Sequence, residues 1–210
     1  MLPPEPLIDQ ASHLGCELNA DQADRLESYV GLLVKWNQVH NLTAIRNPVD
    51  MRVQHLLDCL AVVAPLRRQL GDLSARVLDV GSGAGLPGVV LAVAMPELQV
   101  TCVDAVAKKA AFVTQVAAEL GLKNLRAEHA RVEQLRLPSF DVVTSRALGS
   151  LRDLVRLTRP LLKLGGVWMA MKGIHPAEEI AELAQEAQMF HVEPLHIPAL
   201  QGERCLVWMR

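Results

Sequence analysis

The sequence predicts an α/β fold in which a seven-stranded, mostly parallel sheet ends in an antiparallel hairpin, with helices on both faces and a helical extension at the N-terminus. Three observations predict it. From about residue 76 onward, short β-branched runs alternate with amphipathic stretches, the pattern of strand–helix–strand crossovers. The last two runs are joined by a short Pro/Gly-containing loop without a helix, so they read as a hairpin. Residues 1–70 instead carry helical spacing and helix caps.

Asn19 followed by Gln22 is a capping-box-like start for a helix from about Ala20 to Val39, with Leu26, Tyr29, Val30, Leu33 and Val34 at helical spacing. Asn47-Pro48 supplies a cap and a first-turn proline for a second helix through His55 to about Ala64. The boundary falls within Arg67–Ser74, separating an extension (1–70) from a larger domain (71–210). The expected strands are Arg76–Val80, Val100–Asp104, Asn124–Ala127, Phe140–Ser145, Val167–Met171, His191–Ile197 and Arg204–Met209. Helices fill Pro87–Met95, Ala105–Leu120, Leu151–Leu162 and Pro176–Gln188, with Gly121 as a helix stop.

Bulk properties exclude several classes. The chain has 210 residues, 21 basic and 23 acidic side chains, a net charge of -2 and 50% hydrophobic content, too apolar for disorder. The charge balance lacks the Lys/Arg excess of a general nucleic-acid binder. Three Trp, three Phe and one Tyr are too few for a single-strand stacking platform. The first 18 residues have no basic n-region or apolar core of a secretory signal, and no uncharged stretch of 18 apolar residues spans a membrane. Cys16, Cys59, Cys102 and Cys205 are far apart, which suits reduced, buried thiols in the cytoplasm rather than a disulfide frame or zinc site.

The sharpest local signal is Val77-Leu78-Asp79-Val80-Gly81-Ser82-Gly83-Ala84-Gly85-Leu86-Pro87-Gly88, an apolar strand running through glycines into a helix. Gly83, Gly85 and Gly88 satisfy GxGxxG, so a dinucleotide site is one candidate. Asp79 favours another. A pyrophosphate loop gains nothing from a fixed negative charge there, whereas S-adenosylmethionine carries an ammonium and a sulfonium. Asp104 closes the second strand, where a carboxylate accepts ribose hydroxyls in either cofactor class. Asp79 and the lack of a second mononucleotide-binding half are therefore the discriminators.

Downstream, Arg131-Val132-Glu133 follows the third strand, in a loop that would flank an adenine. Thr144-Ser145-Arg146-Ala147 ends the fourth strand and Lys172-Gly173 the fifth, at the carboxyl edge where open α/β sheets bind ligands. One such base alone reads as a solvated strand end. Two on adjacent strands beside a cofactor loop favour function.

These residues together resemble the RsmG (glucose-inhibited division protein B) family, which methylates guanine N7 in 16S rRNA. The matching pieces run in order along the chain: Lys35-Trp36-Asn37 with Asn41-Leu42-Thr43, His55-Leu56-Leu57-Asp58, the glycine loop through Leu86-Pro87-Gly88, Ser145-Arg146-Ala147, Lys172-Gly173 and Gly202-Glu203-Arg204. The resemblance implies a class I S-adenosylmethionine-dependent methyltransferase, Rossmann-like, with an N-terminal helical addition, acting in the cytoplasm on 16S rRNA or the 30S subunit. It implies that Gly81, Leu86, Val132, Glu133 and Arg146 contact S-adenosyl-L-methionine and its product S-adenosyl-L-homocysteine, and the loop and strand ends themselves add Asp79, Gly83, Gly85 and Asp104 to the cofactor site. Arg146 would act by positioning at the cofactor–substrate junction, and Arg131, Arg146, Lys172 and Arg204 would face RNA. No metal is expected. Cys59, where a serine is usual, and Gln54, where a basic residue often precedes the His, are departures. His55 and Asp58 share a helix face and read as a helix-packing pair, and Trp36 as a residue that packs the extension on the domain.

Guanine N7 has a free lone pair and no proton, so its methylation needs no general base. The fourth strand lacks the [DNS]PP[FYW] motif of exocyclic-amine methyltransferases, and no Pro-Cys nucleophile of the 5-methylcytosine type is present. Net charge also hides a partition: 1–122 sums to -4, 123–172 to +6 and 173–210 to -4. Arg152, Arg156, Arg159 and Lys163 in the basic block are spaced as one helical face, a candidate contact for RNA phosphates. A nicotinamide-dependent oxidoreductase and an RNA- or ribosome-binding module holding the cofactor without turnover remain as alternatives at this level.

Overall fold

The computed structural model describes residues 5–71, 73–146, 148–183, 186–198 and 200–210. A short helix, α1 (Leu7–His13), opens it and buries Leu7 and Ala11. The sequence reading did not anticipate α1, which is too brief for a periodic signal and has no side-chain cap. Helix α2 (Ala20–His40) starts with the expected capping box: Asn19 accepts from the Gln22 N–H, and the Gln22 side chain accepts from the Asn19 N–H. At Asn47 the side chain caps α3 (Pro48–Met51) through the Val49 N–H. That helix continues as a π-helical turn, Arg52–Leu57, and a further α-turn, α4 (Asp58–Leu60). A turn at Ala61–Val62 interrupts the helix, so α5 (Val63–Leu70) is a separate helix and the expected boundary starts inside it. Residue 72 of that boundary lies outside the described residues.

The sheet contains β1 (Arg76–Val80), β2 (Gln99–Asp104), β3 (Leu125–His129), β4 (Phe140–Arg146), β5 (Leu162–Lys172), β6 (Met189–Leu195) and β7 (Arg204–Met209) in the order β3-β2-β1-β4-β5-β7-β6. Strands β1 to β5 pair in parallel, and β7 pairs antiparallel with both β5 and β6. This is the predicted architecture, hairpin included. Strand order reverses between β1 and β4, the topological switch point where open α/β sheets bind ligands.

The connecting helices are α6 (Gly88–Ala94), α7 (Ala107–Glu119), α8 (Leu151–Thr158) and α9 (Ala177–Leu183). Helix α8 stops short of the expected Leu162 and passes through a 3-10 turn, Arg159–Leu161, into β5. Pro160 explains the early stop, since it has no N–H to continue the helical hydrogen bonds. Residues 184 and 185 of the helix expected over 176–188 lie outside the described residues. The edge strand β6 is displaced toward the N-terminus of its expected span.

Two apolar layers cover the sheet. On one face Leu26, Tyr29 and Leu33 of α2 join Val89, Val90 and Phe112 in one continuous core. The Trp36 ring lies 5.4 Å from that of Phe112, so α2 packs directly on α7. On the other face Leu151, Leu154 and Val155 meet Phe140 and Trp168. The Trp168 indole N–H donates to Thr158 Oγ1 at 2.8 Å, which satisfies two buried polar groups at once. No described helix is long and apolar enough to cross a membrane.

Candidate active site at the switch point

Asp79 is fully buried near the end of β1. Its Oδ2 accepts the Gly88 N–H at 2.8 Å, at the start of α6, and lies 3.8 Å from Cys102 Sγ. Its Oδ1 has no partner among the described residues. Burial pushes the Asp79 carboxyl up to about 7, against the Gly88 N–H and the Arg146 charge, which both pull it down. A cationic ligand near the loop fits this buried acid, because positive charge favours its ionised form.

Between Asp79 and α6 the backbone takes positive φ at Gly81 (64°), Gly83 (59°) and Gly85 (85°), a region that only glycine enters freely. Gly88 is required for space instead: a Cβ there would collide with Cys102 Sγ and come within 2.9 Å of Asp79 Oδ2. Asp104 ties this loop to the next one. Its Oδ2 accepts the Gly83 N–H and its Oδ1 the Val106 N–H, each at 2.9 Å, with Lys109 Nζ 3.7 Å from Oδ2.

In front of the loop lies a cleft of about 590 Å³. Gly81 to Ala84 and Leu86 form one wall, and Arg146, Met171 to Gly173, Arg204 and Cys205 another. Leu42, Thr43, Ile45, Gln54, His55 and Asp58 close it. Arg146, at the end of β4, donates from Nη1 to the Gln54 carbonyl at 3.0 Å and to Asp58 Oδ2 at 3.3 Å. Arg204 donates from Nε to the other Asp58 oxygen at 3.1 Å. Lys172 Nζ donates to both Glu179 oxygens, at 2.9 and 2.7 Å, and to the Gly149 carbonyl at 3.0 Å. His55 lies 3.3 Å from Arg146 Nη1 through Nδ1 and 3.0 Å from Thr43 Oγ1 through Nε2. Burial, and then the Arg146 charge, lower its pKa to about 4, so the ring is neutral at physiological pH.

The cleft brings together six of the anticipated residues: Gly81, Gly83, Leu86, Arg146, Lys172 and Arg204. Asp79, Gly85 and Asp104 stand behind the loop rather than on its surface. Val132 opens a 3-10 turn after β3 and is buried against the far sheet face. Its neighbours Arg131 and Glu133 are exposed, and all three lie outside the lining of this cleft. Ala147 of the SRA motif lies outside the described residues.

Two expectations are corrected. His55 and Asp58 do not form a mutual packing pair; each reaches Arg146. The basic stripe is not one helical face, because α8 ends at Thr158 and Lys163 lies at the amino end of β5, the sheet edge opposite Arg146. Within the stripe, Arg152 pairs with Glu186, Lys163 with Asp141, and Arg159 covers the Trp168 ring.

Thr43 and the Gln54 carbonyl were missed as site groups. The NLT and HxxD motifs were the available signal, but neither says where a distant strand end will meet them. The departure at Gln54 is harmless to this contact, since its backbone carbonyl, not its side chain, meets Arg146.

The GidB family, described as rRNA small subunit methyltransferase G, matches residues 22–207. This chain belongs to that family. Among its GidB relatives, the ribosomal RNA small subunit methyltransferase G of Leptothrix cholodnii is 60% identical over 206 residues, covering 98% of this chain and 94% of that protein. The enzyme of the same name from Methylibium petroleiphilum is 57% identical over 199 residues, covering 95% and 90%. More distant solved structures share the fold. A SAM-dependent methyltransferase from Aquifex aeolicus superposes with TM-score 0.57 at 17% identity, covering 76% of this chain and 92% of that one. Geranyl diphosphate C-methyltransferase from Streptomyces coelicolor, solved with S-adenosyl-L-homocysteine, gives 0.57 at 16% identity, covering 71% and 78%. The GidB-family chain therefore places its family motifs on a class I methyltransferase sheet, around one cleft.

Proposed function

We propose that this protein transfers the methyl group of S-adenosyl-L-methionine to N7 of a guanine in 16S rRNA, in the cytoplasm and on the 30S subunit or an assembly intermediate. The observation that carries the reading is family membership across residues 22–207, joined to a cleft in which the family's motifs converge on Arg146. Residues 1–70 serve as the extension and 71–210 as the methyltransferase domain.

Gly81 and Gly83 present bare backbone to the cleft beside Leu86, Gly85 turns the loop behind them, and Asp79 beneath it suits a cationic amino acid portion. Asp104 already accepts one backbone bond on each oxygen, and each oxygen keeps a second lone pair for a ribose hydroxyl. Val132 and Glu133 border the adenine. The cofactor, when bound, supplies an electrophilic methyl on sulfonium.

The rest falls to positioning and electrostatics. Guanine N7 attacks with its own lone pair, so no side chain has to remove a proton. Arg146 at the junction must not donate to N7, because that bond would occupy the attacking lone pair; O6, a phosphate or the cofactor is its target. Arg131, Lys172 and Arg204 face the RNA. Asp58 and Glu179 balance the cations of the cleft, which suits a reaction that leaves positive charge on the base.

Transfer of tritiated methyl to 30S subunits or 16S rRNA lacking the modification tests the proposal. Incorporation at a guanine, released as 7-methylguanine, is expected. Cofactor binding without transfer would convert the reading to a binding module, and methylation of free GTP alone to a small-molecule enzyme. Binding of NAD in place of S-adenosylmethionine would revive the oxidoreductase.

A further inference from the structure

We propose that Asp58 and His55, both on the N-terminal extension, are positioning residues that clamp the Arg146 guanidinium for methyl transfer. The role at the reacting centre rests on the functional reading above; the clamp itself rests on geometry.

Asp58 is nearly excluded from solvent, with its side chain 5% exposed, and it bridges two guanidiniums. Oδ2 accepts from Arg146 at the end of β4, and Oδ1 accepts from Arg204 at the start of β7. His55 holds the same guanidinium from beside it, 3.3 Å from Nη1 and 3.4 Å from Nη2. Nδ1 also lies 3.1 Å from the Gln54 carbonyl; the clamp takes the tautomer in which Nδ1 presents its lone pair to the guanidinium, which has donors only. The ring proton then sits on Nε2 and is donated to Thr43 Oγ1, which also accepts the Ile45 N–H at 3.2 Å. Gln54 completes the clamp with its backbone carbonyl.

The backbone explains why these groups converge. Gln54 and His55 lie within the π-helical turn Arg52–Leu57, and the Asp58 N–H reaches back to the Val53 carbonyl. Such turns recur at functional sites, where they re-aim groups that a regular helix would direct elsewhere.

The clamp answers a chemical problem. A free arginine beside a guanine makes its usual fork to O6 and N7, and the N7 branch would occupy the nucleophile. Gln54 and Asp58 account for both Nη1 hydrogens, so the Nη1–Nη2 edge is not free to make that fork to the base. The Asp58 charge also offsets the positive charge that forms on the ring.

The test combines methyl transfer to 30S subunits, calorimetry with S-adenosyl-L-homocysteine and NMR of the arginine guanidinium groups, on the full chain. Asp58→Asn and His55→Phe are expected to lower kcat about a hundredfold, with KM for RNA and homocysteine affinity nearly unchanged. His55→Gln, whose amide oxygen can accept the same bond, restores most of the rate. In an Arg146→Ala background, Asp58→Asn costs no further rate, because both act through one group. Hindered rotation of the Arg146 guanidinium in the wild type is released by Asp58→Asn.

An unchanged kcat in folded Asp58→Asn, full additivity with Arg146→Ala, or equal losses in His55→Gln and His55→Phe would overturn the proposal. If Asp58→Asn does not fold, the His55 pair decides. Free rotation of Arg146 in the wild type overturns the clamp whatever the activity. Hindered rotation in a wild type that transfers no methyl group instead sinks the functional reading.

Discussion

The phenol of Tyr29 donates a 2.9 Å hydrogen bond to the carbonyl of Ala84, joining the middle of α2 to the glycine loop. Tyr29 is fully buried and its ring lies 6.1 Å from that of Phe112. Helix α2 therefore props the loop from behind, while residues 42–58 close the cleft in front. Removing the hydroxyl in Tyr29→Phe should cost about 1–3 kcal/mol, the range for a buried polar group that loses its partner. Urea unfolding reads the stability, and calorimetry with S-adenosyl-L-homocysteine should show weaker binding as the loop loosens.

Arg146→Ala should lower transfer about a hundredfold or more, to a small residual rate, while leaving a folded protein. Asp58 loses one guanidinium but keeps Arg204, so the stability loss should stay at or below the low end of the ~3–5 kcal/mol typical when a buried ion pair loses a partner. Methyl-transfer assays alongside thermal unfolding check both halves. Wild-type transfer by Arg146→Ala would remove this residue from the site.

Two buried groups should give opposite pH dependences. The Asp79 carboxyl, raised by burial from 3.8 to about 7, keeps its proton in the fold where the unfolded chain has released it. The folded state then binds more protons between those values, so stability is greatest below the window and falls as pH rises through it. The slope is at most ~1.4 kcal/mol per pH unit. His55, lowered from 6.5 to about 4 mainly by burial, does the reverse: the unfolded chain binds the extra proton, and stability falls as pH drops through that window. The wild type partly cancels the two. Asp79→Asn should become more sensitive to acid and His55→Gln more sensitive to rising pH, as measured by urea unfolding across about pH 4 to 8.

Arg156 is exposed on α8, whereas Lys163 is paired with Asp141 at the opposite sheet edge from the cleft. Arg156→Glu should therefore flatten the salt dependence of RNA binding by about one unit of slope or more, and Lys163→Glu should not. Binding titrations across salt concentrations separate them. Equal slopes in both variants would return α8 to an ordinary solvated face.

Much of the fold was legible because its signals are local. The capping box at Asn19, the proline start at Pro48 and the glycine loop after β1 depend on residues a few positions apart, and each appears where the spacing predicts it. The early stop of α8 was readable as well, from Pro160, but helical charge spacing suggested a longer face. Helix α1 carries too few residues for a period to emerge.

The sequence by itself determined the alternation of strands and helices, the reversed hairpin, the cofactor-type loop and the family motifs, because backbone preference and hydrophobic period act over short distances. Only the tertiary structure decided what the motifs do to one another. Asp58 and Arg204 are 146 residues apart, and Asp58 and Arg146 are 88 apart, so no spacing rule relates them. Sheet order brings the ends of β4 and β7 to one edge, and the packing of α2 and the π-helical turn against that edge carries His55 and Asp58 onto Arg146. The raised Asp79 carboxyl and the neutral His55 ring are consequences of desolvation, which exists only once the chain has closed around them.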